Sequence, residues 1–259
     1  MSLQLGRALK RGAGLLVSRA GAVVLAAYAA TMLVYQLSFN TLLQPLLAGV
    51  TPSGVEPAAT PGLVTLPIPG VVAGGLVALA LLAAAVISVV AIRTFVAGER
   101  ARVPRRFLTE RMPFAVANVV VGGIAFALVV ALGTLLLVVP GIVAYVGLLF
   151  MIQFVAVENV NFVTAMRRSW RLTKGNWIRL FVLVAVLVAA IFVATFAVTF
   201  GLGVVLPAGS GGIAGIVVAM VNVVATLYLL AVLSDAFVQL RDGTDPSRGT
   251  RPTTDALGA

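Results

Sequence analysis

The residues of this chain best suited to chemistry are four cations at helical spacing, Arg167, Arg168, Arg171 and Lys174. At about 100° per residue they share one arc of a helix with Thr164, while Phe162, Ala165, Met166, Ser169, Trp170, Leu172 and Thr173 take the opposite arc. Asn161 suits the N-cap and Gly175 the position after the last turn, which sets the helix at residues 162–174. An apolar face with an aromatic anchor, opposite a cationic face, describes a helix lying in a membrane–water interface. A row of guanidinium and ammonium groups there suits the phosphates of anionic lipid headgroups. The same charges would also orient the chain during insertion, and the residues alone do not separate the two roles.

Little else in the sequence offers reactivity. Cysteine and histidine are both absent, which removes the thiolate nucleophile, the commonest general base and the commonest metal ligand. Glu158 and Asp235 are carboxylates on different helices, too few for a metal or hydrolytic centre; either could pair with an arginine of the interfacial helix. No catalytic residue, cofactor or metal is therefore expected. Asn118, Gln153 and Asn222 are the polar side chains within apolar runs. They either hydrogen-bond neighbouring helices or line a path for a polar solute. No charge falls in the middle of a run, which counts against an ion-coupled carrier.

The elements that position these residues follow from composition. The chain is 61% hydrophobic and 10% charged, against roughly 25% charged for a soluble domain. Its apolar runs predict an all-α, polytopic membrane bundle of six transmembrane helices, at about 21–39, 71–92, 114–139, 142–157, 178–200 and 212–233. Residues 1–20 form an amphipathic segment with Leu5, Leu9, Ala13 and Leu16 on one side and Arg7, Lys10 and Arg11 on the other. The six spans and their loops make one transmembrane domain over 21–240, and 241–259 reads as a disordered tail. A basic start and a small-residue stretch also resemble a signal peptide, but the apolar run is longer than that requires. Half of the prolines fall in residues 40–69, predicting an extended loop. Pro140-Gly141 predicts a tight turn between spans three and four. Small residues at four-residue spacing, Gly123/Ala127/Ala131, Gly211/Gly215/Ala219 and Ala80/Ala84/Ser88, predict close helix contacts.

The net charge of +10 raises the question of nucleic acid. Each basic residue, however, lies beside an apolar run, so anionic lipid is the expected partner and nucleic acid is not. All 18 Lys and Arg residues fall on one side of the six-span topology. The positive-inside rule then places both termini in the cytoplasm of a multi-pass cell-membrane protein.

From Thr134 to Phe181 the chain carries a helix meeting Pro140-Gly141-Ile142, an acid (Glu158) after the next span, and Ala165-x-x-x-Ser169-Trp170-x-Leu172-Thr173-Lys174-Gly175 before another. This resembles a widespread family of uncharacterised multi-helix membrane proteins of bacteria and archaea. The same module occurs as the membrane domain attached to some glycerophosphodiester phosphodiesterases, and the low-lysine, Ala/Val-rich composition is similar to haloarchaeal members. The resemblance implies a six-helix membrane domain linked with lipid or headgroup metabolism. It does not imply phosphodiesterase activity, since catalysis in those fusions belongs to a separate soluble barrel, for which the residues after the last span leave no room.

The expected function is that of a non-enzymatic, lipid-associated membrane scaffold or homeostasis factor of unknown physiological role, with a protein partner or homo-oligomer left open. The alternative is a permease for a small or lipidic solute, using Asn118, Gln153 and Asn222.

Overall fold

A chain this apolar has one backbone solution in hydrocarbon, because each N–H and C=O must be paired within its own segment. The computed structural model describes residues 4–50, 64–207 and 210–244. They form the helices α1 (Leu5–Leu16), α2 (Arg19–Val50), α3 (Gly70–Ala97), α4 (Arg106–Thr109), α5 (Met112–Leu136), α6 (Val138–Gly147), α7 (Met151–Glu158), α8 (Phe162–Thr173), α9 (Trp177–Val205) and α10 (Gly211–Thr244). Six segments are long and apolar enough to cross a membrane: Arg19–Pro45, Gly70–Ala97, Met112–Leu136, Val138–Glu158, Trp177–Val205 and Gly211–Asp242. The fold is thus an all-α multi-pass bundle, with the shorter helices α1, α4 and α8 packed around its basic end.

Several boundaries differ from the sequence reading, each for a physical reason. Helix α2 runs to Val50 with Pro45 inside it, so the loop expected from residue 40 starts later. Asn40 and Thr41 instead receive the returning strand of chain: Asn40 Nδ2 donates to the Val64 carbonyl at 3.1 Å, and Leu66 N–H donates to Thr41 Oγ1 at 2.9 Å. Residues 51–63 of that loop lie outside the described residues. Helix α3 continues through Arg93 to Ala97 and stops at Gly98, whose φ of 70° is the left-handed conformation glycine tolerates best. The α5–α6 turn is made at extended Leu137, and Pro140 and Gly141 fall in the first turn of α6, where a missing N–H costs little. Their role is proximity: a Cβ on Gly133 would lie 3.1 Å from the Gly141 Cα, and Thr134 packs directly on Gly141. Helix α10 extends to Thr244, so the expected tail is helical at its start, and residues 245–259 lie outside the described residues.

Burial is concentrated at the basic end. Its centre is an aromatic trio, Phe237 against Phe150 and Phe154 with ring centroids 5.8 and 4.9 Å apart. Met151, Val155, Leu180, Leu183 and Leu187 surround the trio. At the far end, Leu128, Leu132, Leu135, Phe192, Phe196, Phe200, Val204 and Ile213 are exposed. The α2–α3 pair is the exception, closed along its length by buried Ala73, Ala80 and Ala84. Of the three small-residue stripes only this one packs tightly; Gly123 and Gly215 have open space beside them.

Helix α1 docks on α10. Its buried face is Ala8, Gly12, Leu15 and Leu16, with Leu9 half-buried beside it; of the expected stripe, Ala13 is exposed instead. Arg11 Nε lies 3.3 Å from Asp235 Oδ1, Gln239 Nε2 donates to Asp235 Oδ2 at 2.6 Å, and Gln4 N–H donates to Gln239 Oε1 at 3.0 Å. A Cβ on Gly12 would lie 2.6 Å from Val232 Cγ2 and 3.1 Å from the Val232 nitrogen. Gly12→Leu is therefore expected to lift α1 at a cost of about 1–3 kcal/mol. Trypsin should then cut at Arg7, Lys10 and Arg11 faster than in the unmodified protein. Gly6→Leu, which meets nothing within 4 Å, should leave the cleavage rate alone.

Candidate functional site

Span four is interrupted. Helix α6 ends at Gly147 and α7 begins at Met151: Leu148 N–H still donates to the Ala144 carbonyl, Leu149 N–H tightens onto Val146, and Phe150 N–H leaves the ladder. An interruption inside an apolar span leaves backbone groups that lipid cannot satisfy. Here α8 supplies the partner. Ser169 Oγ accepts from Phe150 N–H at 3.1 Å and donates to the Gly147 carbonyl at 2.9 Å. Thr173 Oγ1 lies 3.3 Å from the same carbonyl and accepts from Trp177 Nε1 at 3.3 Å. Gly147 is needed for this approach, because a Cβ there would overlap the Trp170 ring. Trp170 in turn meets Trp177 edge-on, with centroids 5.4 Å apart.

The other end of α8 is held as firmly. Asn161 Oδ1 accepts from Thr164 N–H at 2.8 Å, capping the helix from within. Asn118 of α5 caps it from outside: its Oδ1 accepts from Phe162 N–H at 2.9 Å, while its Nδ2 donates to Phe114 O at 2.9 Å. Gly122, one turn further along α5, would place a Cβ 2.8 Å from Phe162 Cβ. Gly175 follows the helix with a φ of 88°. With 12 residues α8 is about 18 Å long, too short for a hydrocarbon core of about 30 Å.

Ala165, Ser169 and Thr173 are buried, which leaves the opposite face outward. Arg168 forms an ion pair with Glu158 at the end of α7, and Arg241 of α10 lies 4.0 Å from the same carboxylate. Arg167, Arg171 and Lys174 are exposed and make no ion pair among the described residues. Asp235, the second acid, serves α1 through Arg11 and not α8.

The sequence reading did not single out Arg93. It lies one residue past the span expected at 71–92, yet it is 6% exposed within the last turns of α3. Its guanidinium donates to the Ala156 carbonyl at 2.6 Å, the Phe107 carbonyl at 2.9 Å and Asn159 Oδ1 at 2.8 Å. A cation at the C-terminal carbonyls of α7 is favoured by the helix dipole as well as by hydrogen bonding. The signal available was that Arg93 has apolar residues on both sides and precedes Gly98 by five positions.

The three amides grouped as a solute path occupy separate settings. Asn118 caps α8. Gln153 of α7 is 1% exposed, and its Oε1 has no hydrogen-bond partner among the described residues. Asn222 of α10 donates to its own helix at Val218 O, 2.9 Å away. It borders a groove of about 400 Å³ between α2 and α10, with Tyr28, Tyr35, Gln36 and Thr226. Among the described residues no cluster of three potential metal-ligating side chains occurs.

Ser169→Ala should leave the Phe150 N–H unpaired in a fully buried setting, costing about 1–3 kcal/mol. Thermal unfolding in neutral detergent should show a lowered midpoint for Ser169→Ala and none for Arg167→Gln. Equal midpoints for Ser169→Ala and the unmodified chain would mean that the interruption is satisfied in another way.

No curated protein and no solved structure is significantly similar to the chain. The sequence model of the family described as "Domain of unknown function (DUF7847)" matches residues 3–240, from α1 through the body of α10, and the chain belongs to that family.

Proposed function

We propose that the protein is a non-enzymatic membrane scaffold or homeostasis factor that holds anionic lipid headgroups on the outward face of α8. The observation that carries this reading is a rigid helix presenting unpaired cations. Ser169, Thr173 and Asn118 fix α8 against three apolar helices, while Arg167, Arg171 and Lys174 point away from the bundle. Cations held in register lose little entropy on binding phosphate oxygens. The separate settings of Asn118, Gln153 and Asn222, which share no common path, favour this reading over a permease. The resemblance to the membrane module of glycerophosphodiester phosphodiesterases, and to haloarchaeal proteins, supports a place near lipid or headgroup metabolism. In this reading the basic end and both termini face the cytoplasm, following the distribution of Lys and Arg.

Each Lys or Arg near an anionic surface contributes about 1 kcal/mol, so changing Arg167, Arg171 and Lys174 to Gln should weaken retention of phosphatidylglycerol by roughly a hundredfold. Native mass spectrometry of the full chain in neutral detergent reads this directly; equal lipid occupancy in both forms would overturn the reading. The absence of cysteine allows orientation to be read from single introduced thiols. In intact cells Lys174→Cys should be shielded from a membrane-impermeant maleimide and Val64→Cys should react with it.

A further inference from the structure

A second cationic feature, separate from α8, lies where α1 meets the segment between α3 and α4. Arg7, Lys10 and Arg11 of α1 and Arg100 of that segment, together with Gly6, line an open cup of about 550 Å³. The Arg100 segment is tied by backbone to the start of α2, just after α1, since Ala20 N–H donates to the Arg100 carbonyl at 3.0 Å. Two of the guanidiniums lie near glycines. A Cβ on Gly14 would lie 3.7 Å from Arg100 Nη2, and one on Gly98 would lie 3.9 Å from Arg11 Nη2.

The backbone that carries the three α1 cations is held in place. Helix α1 is fixed by the Arg11–Asp235 pair, by Gln4 on Gln239, by Tyr228 Oη donating to the Leu9 carbonyl at 3.3 Å, and by Gly12 on Val232. Only Arg11 has an acidic partner, engaged through Nε; Arg7, Lys10 and Arg100 make no ion pair among the described residues. Arg7 and Lys10 also sit in the first two turns of α1, where the helix dipole disfavours positive charge. Like charges held together at an unfavourable helix end call for an anion, and guanidinium groups match phosphate geometry.

We propose that this cup binds a phosphate monoester, with Arg7, Lys10, Arg11 and Arg100 as its ligands. The ester is either the headgroup of a bilayer lipid or a soluble sugar- or polyol-phosphate, the recognised group being the same. Calorimetry on the full chain in dodecyl maltoside separates the sources. Binding of dioctanoyl phosphatidic acid without binding of glycerol 1-phosphate assigns a lipid headgroup, and comparable binding of both assigns a soluble ester. The combined variant Arg7→Gln, Lys10→Gln and Arg100→Gln, which keeps the Arg11–Asp235 anchor, should weaken binding by at least about tenfold. Arg100→Gln alone lies outside α1 and gives the same direction if the combined variant folds poorly. Failure of both probes to bind, or affinity in these variants equal to the unmodified chain, overturns the proposal. So does an equal loss on changing Arg105 and Arg106 to Gln, two exposed cations outside both α8 and the cup, which would mark diffuse attraction rather than a site.

Discussion

Two hydrogen bonds on one hydroxyl decide how this bundle is put together. The Ser169 side chain closes the gap that α6 and α7 leave in span four, donating to Gly147 and accepting from Phe150. A broken helix in an apolar setting is costly unless something polar fills the break. Helix α8 is what fills it, so the helix and the interruption require one another. That dependence accounts for the spacing Ala165, Ser169, Thr173, three buried positions one turn apart. It also accounts for Gly147, the only side chain small enough to sit under Trp170.

The remaining polar groups of the basic end do similar work on helix termini. Arg93 gathers the end of α7, the turn of α4 and Asn159. Asp235 and Gln239 gather α1. Glu158 stands between Arg168 of α8 and Arg241 of α10. Each is a charged or amide group inside or beside an apolar helix, and each is satisfied by backbone or by an opposite charge, as burial demands. Several cations have no carboxylate partner among the described residues, and two groups of them share a surface: those on the outward face of α8 and those at the α1 cup.

Much of the architecture was legible in the sequence because apolar runs of about 20 residues have few alternatives. Helix ends were less legible. Charged residues such as Arg93 and Asp235, and the proline Pro45, read as boundaries, yet all three lie inside helices that continue past them. A local rule sees a charge or a proline and cannot see the carbonyl or partner that will satisfy it across the bundle. Pro140-Gly141 misled for a related reason: a turn former is also a good first-turn residue, and the backbone at Leu137 took the turn. The interruption at Leu148–Phe150 had no local sign at all, since three large apolar residues are ordinary helix formers. The amphipathic character of α8 was readable, but what its buried hydroxyls bind was not, because their partners lie 19 and 22 residues upstream in a break that only the fold reveals.

The uneven distribution of burial has a mechanical consequence. Buried packing and ion pairing collect at one end, while most helices run on from there with few neighbours. Such an assembly is clamped at its base and free at its tips. Lateral tension acting on the tips would change helix tilt without separating the aromatic trio or the Ser169 junction, whereas the same tension at the base would have to break them. Membrane thickness and curvature would thus be transmitted to this protein as angles between rods hinged at a rigid foot.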